Sequence, residues 1–390
     1  MTLSRIPLAI PNVGPAEAAN LQACIDENFV STVGRFVTEL EEKCAALSGT
    51  AHGIATGAGT QALHMALLAM NIGAGDLVIL PSFTFIASAN AISHSGAKPW
   101  LMDISPSDWI LDPEVVSWEL DTHCDLTDDG ACLHRETGLT VKAIMPVYTM
   151  GTPADMVALR AIAEKWNLRL IADAAAAIGV TIGGKPLGGF ADATCYSFNG
   201  NKTITCGGGG MIVGNDHAIM KRARHLTTTA RTSPNYDHDE IGYNYRMTNI
   251  EAAVGCAQFD RLAEFLTAKR IIRERYNSAF ANTPGISVFP ETEDRSSTCW
   301  FSGFVFDDPD SNVPAFCAEL SKQMIEARPF WKPVHLQTPY ASAPRSSMDV
   351  SGNLWSRIVT LPCSTSLTEA DQARVIAAVA DLLEPVRSAS

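Results

Sequence analysis

Lys202 stands in the stretch Ser197–Phe198–Asn199–Gly200–Asn201–Lys202, and a glycine run, Gly207 to Gly210, comes almost at once after it. No acidic residue lies in this stretch to pair with its amine. Asp173 closes the apolar run 168–172, and the alanines 174–177 after it cannot neutralise its carboxylate. Taken singly, each has a plainer role: Lys202 as a solvated surface lysine, Asp173 as a helix N-cap. A third feature joins them. Gly59 and Thr60, in Gly57–Ala58–Gly59–Thr60, open a helical pattern whose free amides suit an anion. Ser197, five residues before Lys202, adds a hydroxyl. A lysine of lowered pKa forms Schiff bases with carbonyls. An amine for an aldehyde, a carboxylate for a ring nitrogen and a cup for a phosphate are the devices that a pyridoxal phosphate site needs.

Other motifs fall short of the chemistry they suggest. Gly57–Thr60 begins like a dinucleotide fingerprint but lacks the third glycine, and Gly200–Thr203 lacks a glycine directly before the lysine of a phosphate loop. Residues 125–136 space Asp125, Asp129, Gly130 and Glu136 nearly as a calcium loop does. Thr127 is a weak ligand there, and Gly138 stands where the exiting helix should begin, so a surface hairpin is expected. Residues 182–189 read as a glycine turn between two short strands.

The elements that must position these residues alternate in type. Residues 60–70 and 154–167 carry helical patterns, and 82–96 reads as a helix entry. Residues 77–81, 98–104, 141–147 and 168–173 are short apolar runs. Such alternation predicts an α/β fold with a mostly parallel sheet covered on both faces, where function collects at the carboxyl ends of the strands. A long amphipathic stretch, 249–280, reads as one connecting helix that stops before Asn282, Pro284 and Gly285. The expected division is a large domain, 1–260, and a smaller C-terminal α/β domain, 261–390.

Composition narrows the function classes. The chain has 390 residues, 46% hydrophobic and 18% charged, with a formal net charge of −13. No basic stripe appears, which argues against nucleic-acid binding. The ten cysteines form no CxxC pair, which argues against a disulfide scaffold or a zinc site. Pro7 and Pro11 interrupt the apolar run near the start, which makes it a poor signal peptide, and no stretch reaches the length of a membrane span. A cytoplasmic location is expected.

With these residues in view, the sequence resembles the sugar aminotransferases of the DegT/DnrJ/EryC1/StrS family, pyridoxal phosphate enzymes of fold type I. The resemblance covers residues 29–42, 55–63, 80–92, 153–156, 171–179, 196–213, 241–258 and 328–337, with "SFNGNK" and "FWKPVH" the most specific pieces. They are closest to the branch that aminates C4 of UDP-linked 4-keto-6-deoxy-N-acetylhexosamines for surface glycans. The resemblance implies Lys202 as the Schiff-base lysine and Asp173 as the partner of the pyridinium nitrogen. It implies phosphate contacts from Gly59, Thr60 and Ser197, and cofactor contacts from Phe85 and Ala176. Asn244 matches an asparagine that reaches the phosphate of the neighbouring subunit, which makes the protein a homodimer with shared sites. Ser31, Arg328 and His335 match positions near the nucleotide sugar, with Arg246 and Lys332 as basic groups for its diphosphate. L-Glutamate is the implied amino donor. A 3-amino product on another nucleotide, and a non-catalytic regulatory protein that binds the cofactor, are the alternatives. Three positions depart from the family pattern: Ala58, Tyr148 in place of a histidine, and Ala176 in place of Gln, Glu or His.

Overall fold

The structure is a computed structural model that describes the backbone of residues 4–387 and the side chains up to residue 383. Residues 1–3 of the opening segment and 388–390 at the other end lie outside the described residues. The main sheet runs in the spatial order His52–Thr56, Gly210–Gly214, Ala193–Ser197, Arg169–Asp173, Thr140–Ile144, Asp76–Pro81, Lys98–Met102. The last five of these strands are mutually parallel, and Gly210–Gly214 is antiparallel to both its neighbours. A hairpin of Cys124–Leu126 and Cys132–His134 extends the sheet from Thr140–Ile144, so the calcium-like stretch is a hairpin as expected. The glycine turn near 183 joins the paired strands Thr181–Ile182 and Lys185–Pro186.

The strands are mostly apolar because both faces are covered, with charges such as Lys98 and Arg169 kept to exposed strand starts. Side chains alternate across a strand. Leu77, Ile79, Leu170 and Ala172 therefore enter one core, and Val78, Leu80 and Ile171 enter the other. Helices Arg35–Ser48, Met156–Lys165 and Asn249–Asp260 cover the first face, and Gly59–Ala69, Ile86–His94 and His217–Thr227 cover the second.

A second sheet, wholly antiparallel, has the order Ile286–Val288, Ser302–Phe306, Ile358–Leu361, Arg328–Pro329. Helices Leu262–Phe280, Val313–Lys322 and Glu369–Arg387 accompany it, and Phe304, Val359, Tyr276 and Val379 fill a third core. Ile6 and Leu8 join that core, so the start of the chain packs with its end. Phe83, Met150 and Ala176 also reach it from the rim of the main sheet.

The stretch 249–280 differs from expectation. It is two helices, Asn249–Asp260 and Leu262–Phe280, broken at Arg261. The break is a tightened last turn, where the Arg261 amide donates to Gln258 O, three residues back, at 3.1 Å. The first of these helices starts at a capping box: the Thr248 hydroxyl accepts from the Glu251 amide, and the Glu251 carboxylate accepts from the Thr248 amide. Leu262 and Phe265 still belong to the first core, while Ile272, Tyr276 and Phe280 belong to the third.

Candidate active site

The carboxyl ends of the parallel strands open onto one cavity of about 270 Å³. Each strand delivers the residues at or just beyond its end. After Asp76–Pro81 come Thr84, Phe85 and Ser88; after Thr140–Ile144 come Val147 and Tyr148; Arg169–Asp173 supplies Asp173 itself. Ala193–Ser197 supplies Ser197, Asn199, Asn201 and Lys202, and Gly208 and Gly209 enter from the start of the reversed strand. Trp300 and Trp331 close the cavity from the segment of the second sheet.

Local bonding explains why Lys202 sits there. The Phe198 amide donates to Gly209 O at 3.0 Å, and Phe198 O accepts from the Cys206 amide at 2.9 Å. These bonds close the loop 199–205, which stands on the sheet edge and carries Lys202. The return needs glycine. Gly209 has φ +94°, and a Cβ on Gly210 would lie 2.6 Å from the carbonyl carbon of Ala58. The same close approach seats the start of helix Gly59–Ala69. A Cβ on Gly59 would lie 2.7 Å from the Cβ of Ser197. No side chain caps this helix, since its N-cap residue is Ala58. Its first amides, the positive end of the helix dipole, are left for a ligand.

Asp173 is buried, and both its oxygens are engaged. Oδ2 accepts from the Ser88 hydroxyl at 2.7 Å, and Oδ1 accepts from the Ala175 amide at 3.1 Å. Burial pushes its carboxyl above the usual range, against the pull of Ser88, Ala175 and the Lys202 ammonium. Lys202 is half-buried, and desolvation lowers its amine to about 8 while the Asp173 carboxylate pulls the other way. Its Nζ lies 3.6 Å from the centroid of the Trp300 ring. An amine so placed is largely protonated at pH 7 yet yields its proton within reach of neutrality, which suits a nucleophile and proton carrier.

The structure thus brings Lys202, Asp173, Gly59, Thr60, Ser197, Phe85 and Ala176 together around one cavity. The remaining expected residues are not on its wall. Arg328 lines an adjoining hollow with Phe85, Asn201 and Trp331, and its guanidinium is held by Glu326 at 2.5 Å. Lys332 is exposed to solvent. His335 is buried in the structural framework: its Nδ1 meets the Ser82 hydroxyl at 2.6 Å, and its amide donates to Ser82 Oγ at 3.1 Å. Those bonds tie the 334–336 turn to the end of strand Asp76–Pro81. Ser31 and Asn244 are exposed, and Arg246 is bridged through its backbone to Thr56 beside the helix start. None of these three lines the cavity of its own chain.

Sequence reasoning misses Ser88 and Trp300. Ser88 lies on the helix Ile86–His94, where nothing in its spacing marks a serine as facing Asp173. Trp300 lies far along the chain, and only the packing of the second sheet brings it to Lys202. Of the departures, Tyr148 is buried with no hydrogen-bond partner for its hydroxyl among the described residues, and burial pushes that phenol upward. Ala176 has its carbonyl bound by the Thr298 hydroxyl at 2.7 Å.

Pyridoxal phosphate fits what is present. The uncapped helix start with Ser197 suits its phosphate, Lys202 Nζ suits its aldehyde, and the buried, doubly bonded carboxylate of Asp173 suits its ring nitrogen. All three face one cavity.

Comparison with known proteins agrees. The sequence model of the DegT/DnrJ/EryC1/StrS aminotransferase family matches residues 11–380. The chain is 36% identical over 385 residues to the GDP-perosamine synthase of Caulobacter vibrioides, covering 98% of this chain and 99% of that one. A DegT DnrJ EryC1 StrS aminotransferase from Brucella abortus superposes with a TM-score of 0.85 at 30% identity, over 94% of this chain and 95% of that one. DesV of S. venezuelae, solved with a ketimine intermediate, gives a TM-score of 0.85 at 27% identity, over 98% and 99%. The chain belongs to the DegT/DnrJ/EryC1/StrS aminotransferase family, and pyridoxal phosphate is its cofactor.

Proposed function

We propose that this protein transfers the amino group of L-glutamate to C4 of a nucleotide-linked 4-keto-6-deoxy sugar, with a UDP-linked 2-acetamido-2,6-dideoxy sugar as the first candidate. The observation that carries the transfer is the placement of Lys202 and Asp173 on one cavity beside the uncapped helix start. The nucleotide sugar is supported by the likeness to GDP-perosamine synthase, whose name also makes a GDP-linked sugar a substrate to test.

The cofactor, when bound, supplies an electron sink for the carbon that gains or loses the amino group. This chain's residues do the rest. Asp173, whose carboxyl group Ser88 and the Ala175 amide keep in place, would face the ring nitrogen and help it keep its proton. Lys202 Nζ moves the proton between the reacting carbons, a role that typically contributes about 10²–10⁴-fold. Gly59, Thr60 and Ser197 would hold the phosphate, and Phe85, Trp300 and Trp331 give the cavity an aromatic lining. Arg246 and Lys332 are the basic groups for the nucleotide diphosphate, and Arg328 belongs to the segment near the sugar. In this reading the protein is a cytoplasmic homodimer of chains divided into 1–260 and 261–390, and each chain lends Asn244 to its partner's site. The exposure of Asn244 in one chain accords with that role.

The deciding experiment is a visible absorbance spectrum of the purified protein before and after glutamate, then a screen of UDP-, GDP- and dTDP-linked 4-keto sugars. A yellow band that bleaches with glutamate, then returns with one of the sugars, supports the reading. A yellow protein that ignores every amino donor would replace it with a non-catalytic, cofactor-binding role.

A further inference from the structure

Trp300 is placed as no ordinary core residue needs to be. It is 2% exposed and comes from the segment that leads into strand Ser302–Phe306 of the second sheet, yet its ring face meets Lys202 Nζ at 3.6 Å. Its indole N–H donates to the carbonyl of Asn201, the residue before Lys202, at 2.7 Å. Its own amide donates to Met150 O at 3.1 Å. Its carbonyl accepts from the ammonium of Lys269 at 2.8 Å, and that buried cation also donates to Cys363 O at 2.7 Å. Trp300 is therefore fixed at its indole N–H, its backbone amide and its backbone carbonyl, by segments from the loop of Lys202, the rim of the main sheet and the helix Leu262–Phe280.

We propose that Trp300 is a positioning residue for Lys202: its π face is the resting place of the lysine ammonium whenever that amine carries no bond beyond its own side chain, and it sets how readily the amine gives up its proton. This rests on the proposed role of Lys202. A cation over an indole face is attracted by the ring quadrupole, most strongly where water is excluded. Desolvation drives the Lys202 amine toward the neutral form. The ring and the Asp173 carboxylate oppose it. Asp173 and Tyr148 are the other titratable residues on the cavity wall, and Tyr148 is neutral across the working range because burial raises its phenol. Of the nearby cations, Lys269 donates to the backbone carbonyl of Trp300 and Arg273 to that of Phe301. The amine rests on the π face, and the Asp173 carboxylate, held by Ser88 and Ala175, acts on it through its charge. After each transfer it returns to the same spot, with the Asn201–Trp300 bond keeping the loop in register.

The test uses the full-length chain with fluorinated tryptophans placed at position 300, which keep the shape of the indole and withdraw electron density from its face. The probe is competitive labelling of amines by acetic anhydride across pH, read by mass spectrometry on the peptide that carries Lys202. Each added fluorine should lower the midpoint of Lys202 labelling, by about one pH unit in all for a trifluorinated ring. The melting temperature should stay constant across the series, and the other lysines should keep their midpoints. A Lys202 midpoint that does not move with fluorination overturns the proposal and leaves Trp300 a packing residue. Pyridoxal phosphate added to the unfluorinated chain should protect Lys202 from the reagent. Absence of protection would instead refute the cofactor role of Lys202, a failure distinct from that of the Trp300 proposal.

Discussion

At the scale of the residue, Lys202 works under opposing forces. Desolvation lowers its amine to about 8 from 10.5, so the folded chain binds fewer protons than the unfolded chain between those values. Stability should therefore rise with pH across that window, and the burden of the buried ammonium is full below pH 8. Lys202→Met should raise the melting temperature of the cofactor-free chain at pH 7, and the gain should fade as pH climbs toward 10.5. Calorimetry of both proteins across pH checks this, and a gain that does not depend on pH would count against it. Ser88 offers a second reading at this scale. Its hydroxyl is one of the two donors that pull the buried Asp173 carboxyl downward. Ser88→Ala should let that carboxyl rise further, so the acid limb of kcat/KM should move to higher pH while the alkaline plateau is largely kept. An unmoved acid limb would show that Ser88 does not tune Asp173.

At the scale of the element, the site depends on how closely a helix start meets a strand end. The helix Gly59–Ala69 presents its uncapped amides because Gly59 lies against Ser197, with no room for a Cβ. Gly59→Ala should push the helix off the strand and weaken pyridoxal phosphate binding by at least about tenfold, a loss on the scale of one good hydrogen bond to a charged group. The fold should persist, since the rest of the helix keeps its buried face of Ala62, Leu63, Ala66 and Leu67. Equilibrium dialysis, with circular dichroism as control, reads both. Tight binding with native spectra would mean that the phosphate sits elsewhere. The break at Arg261 belongs to this scale too: it lets Asn249–Asp260 serve the first core while Leu262–Phe280 carries Lys269 to the backbone carbonyl of Trp300.

At the scale of the whole molecule, one chain leaves apolar surface uncovered. Phe29, Val30, Val33, Tyr236 and Ile241 are all exposed, and they lie on the segments that carry Ser31 and Asn244. A second copy that covers this surface and lends Asn244 across it would complete the site. Lys202→Ala and Asn244→Ala chains should each be nearly inactive alone. Mixed and allowed to exchange subunits, they should recover activity, because one of the two sites in a mixed dimer is intact. Failure to recover, with mixed dimers shown by mass spectrometry, would mean that sites are not shared. Among the described residues no helix is long and apolar enough to cross a membrane.

Much of this protein is legible from its residues alone. The apolar runs ending at Pro81 and Asp173 specify buried parallel strands, because only a sheet covered on both faces tolerates such runs. Asp173, Lys202 and the Gly59–Thr60 helix start, which the fold gathers on one cavity, stand out in the sequence because each adjoins the end of a local element, and local elements are written in local patterns. The expected single helix over 249–280 is wrong at Arg261 because an amphipathic period continues through a tightened turn that only packing reveals. What tertiary structure alone decided are the contacts between distant segments: Ser88 on Asp173, Trp300 on Lys202 and Lys269 on the Trp300 carbonyl. It also took His335 off the cavity wall and bound it to Ser82. A residue's type and spacing state what it can do. Which partner lies within hydrogen-bond distance depends on how two sheets pack, and no local period encodes that.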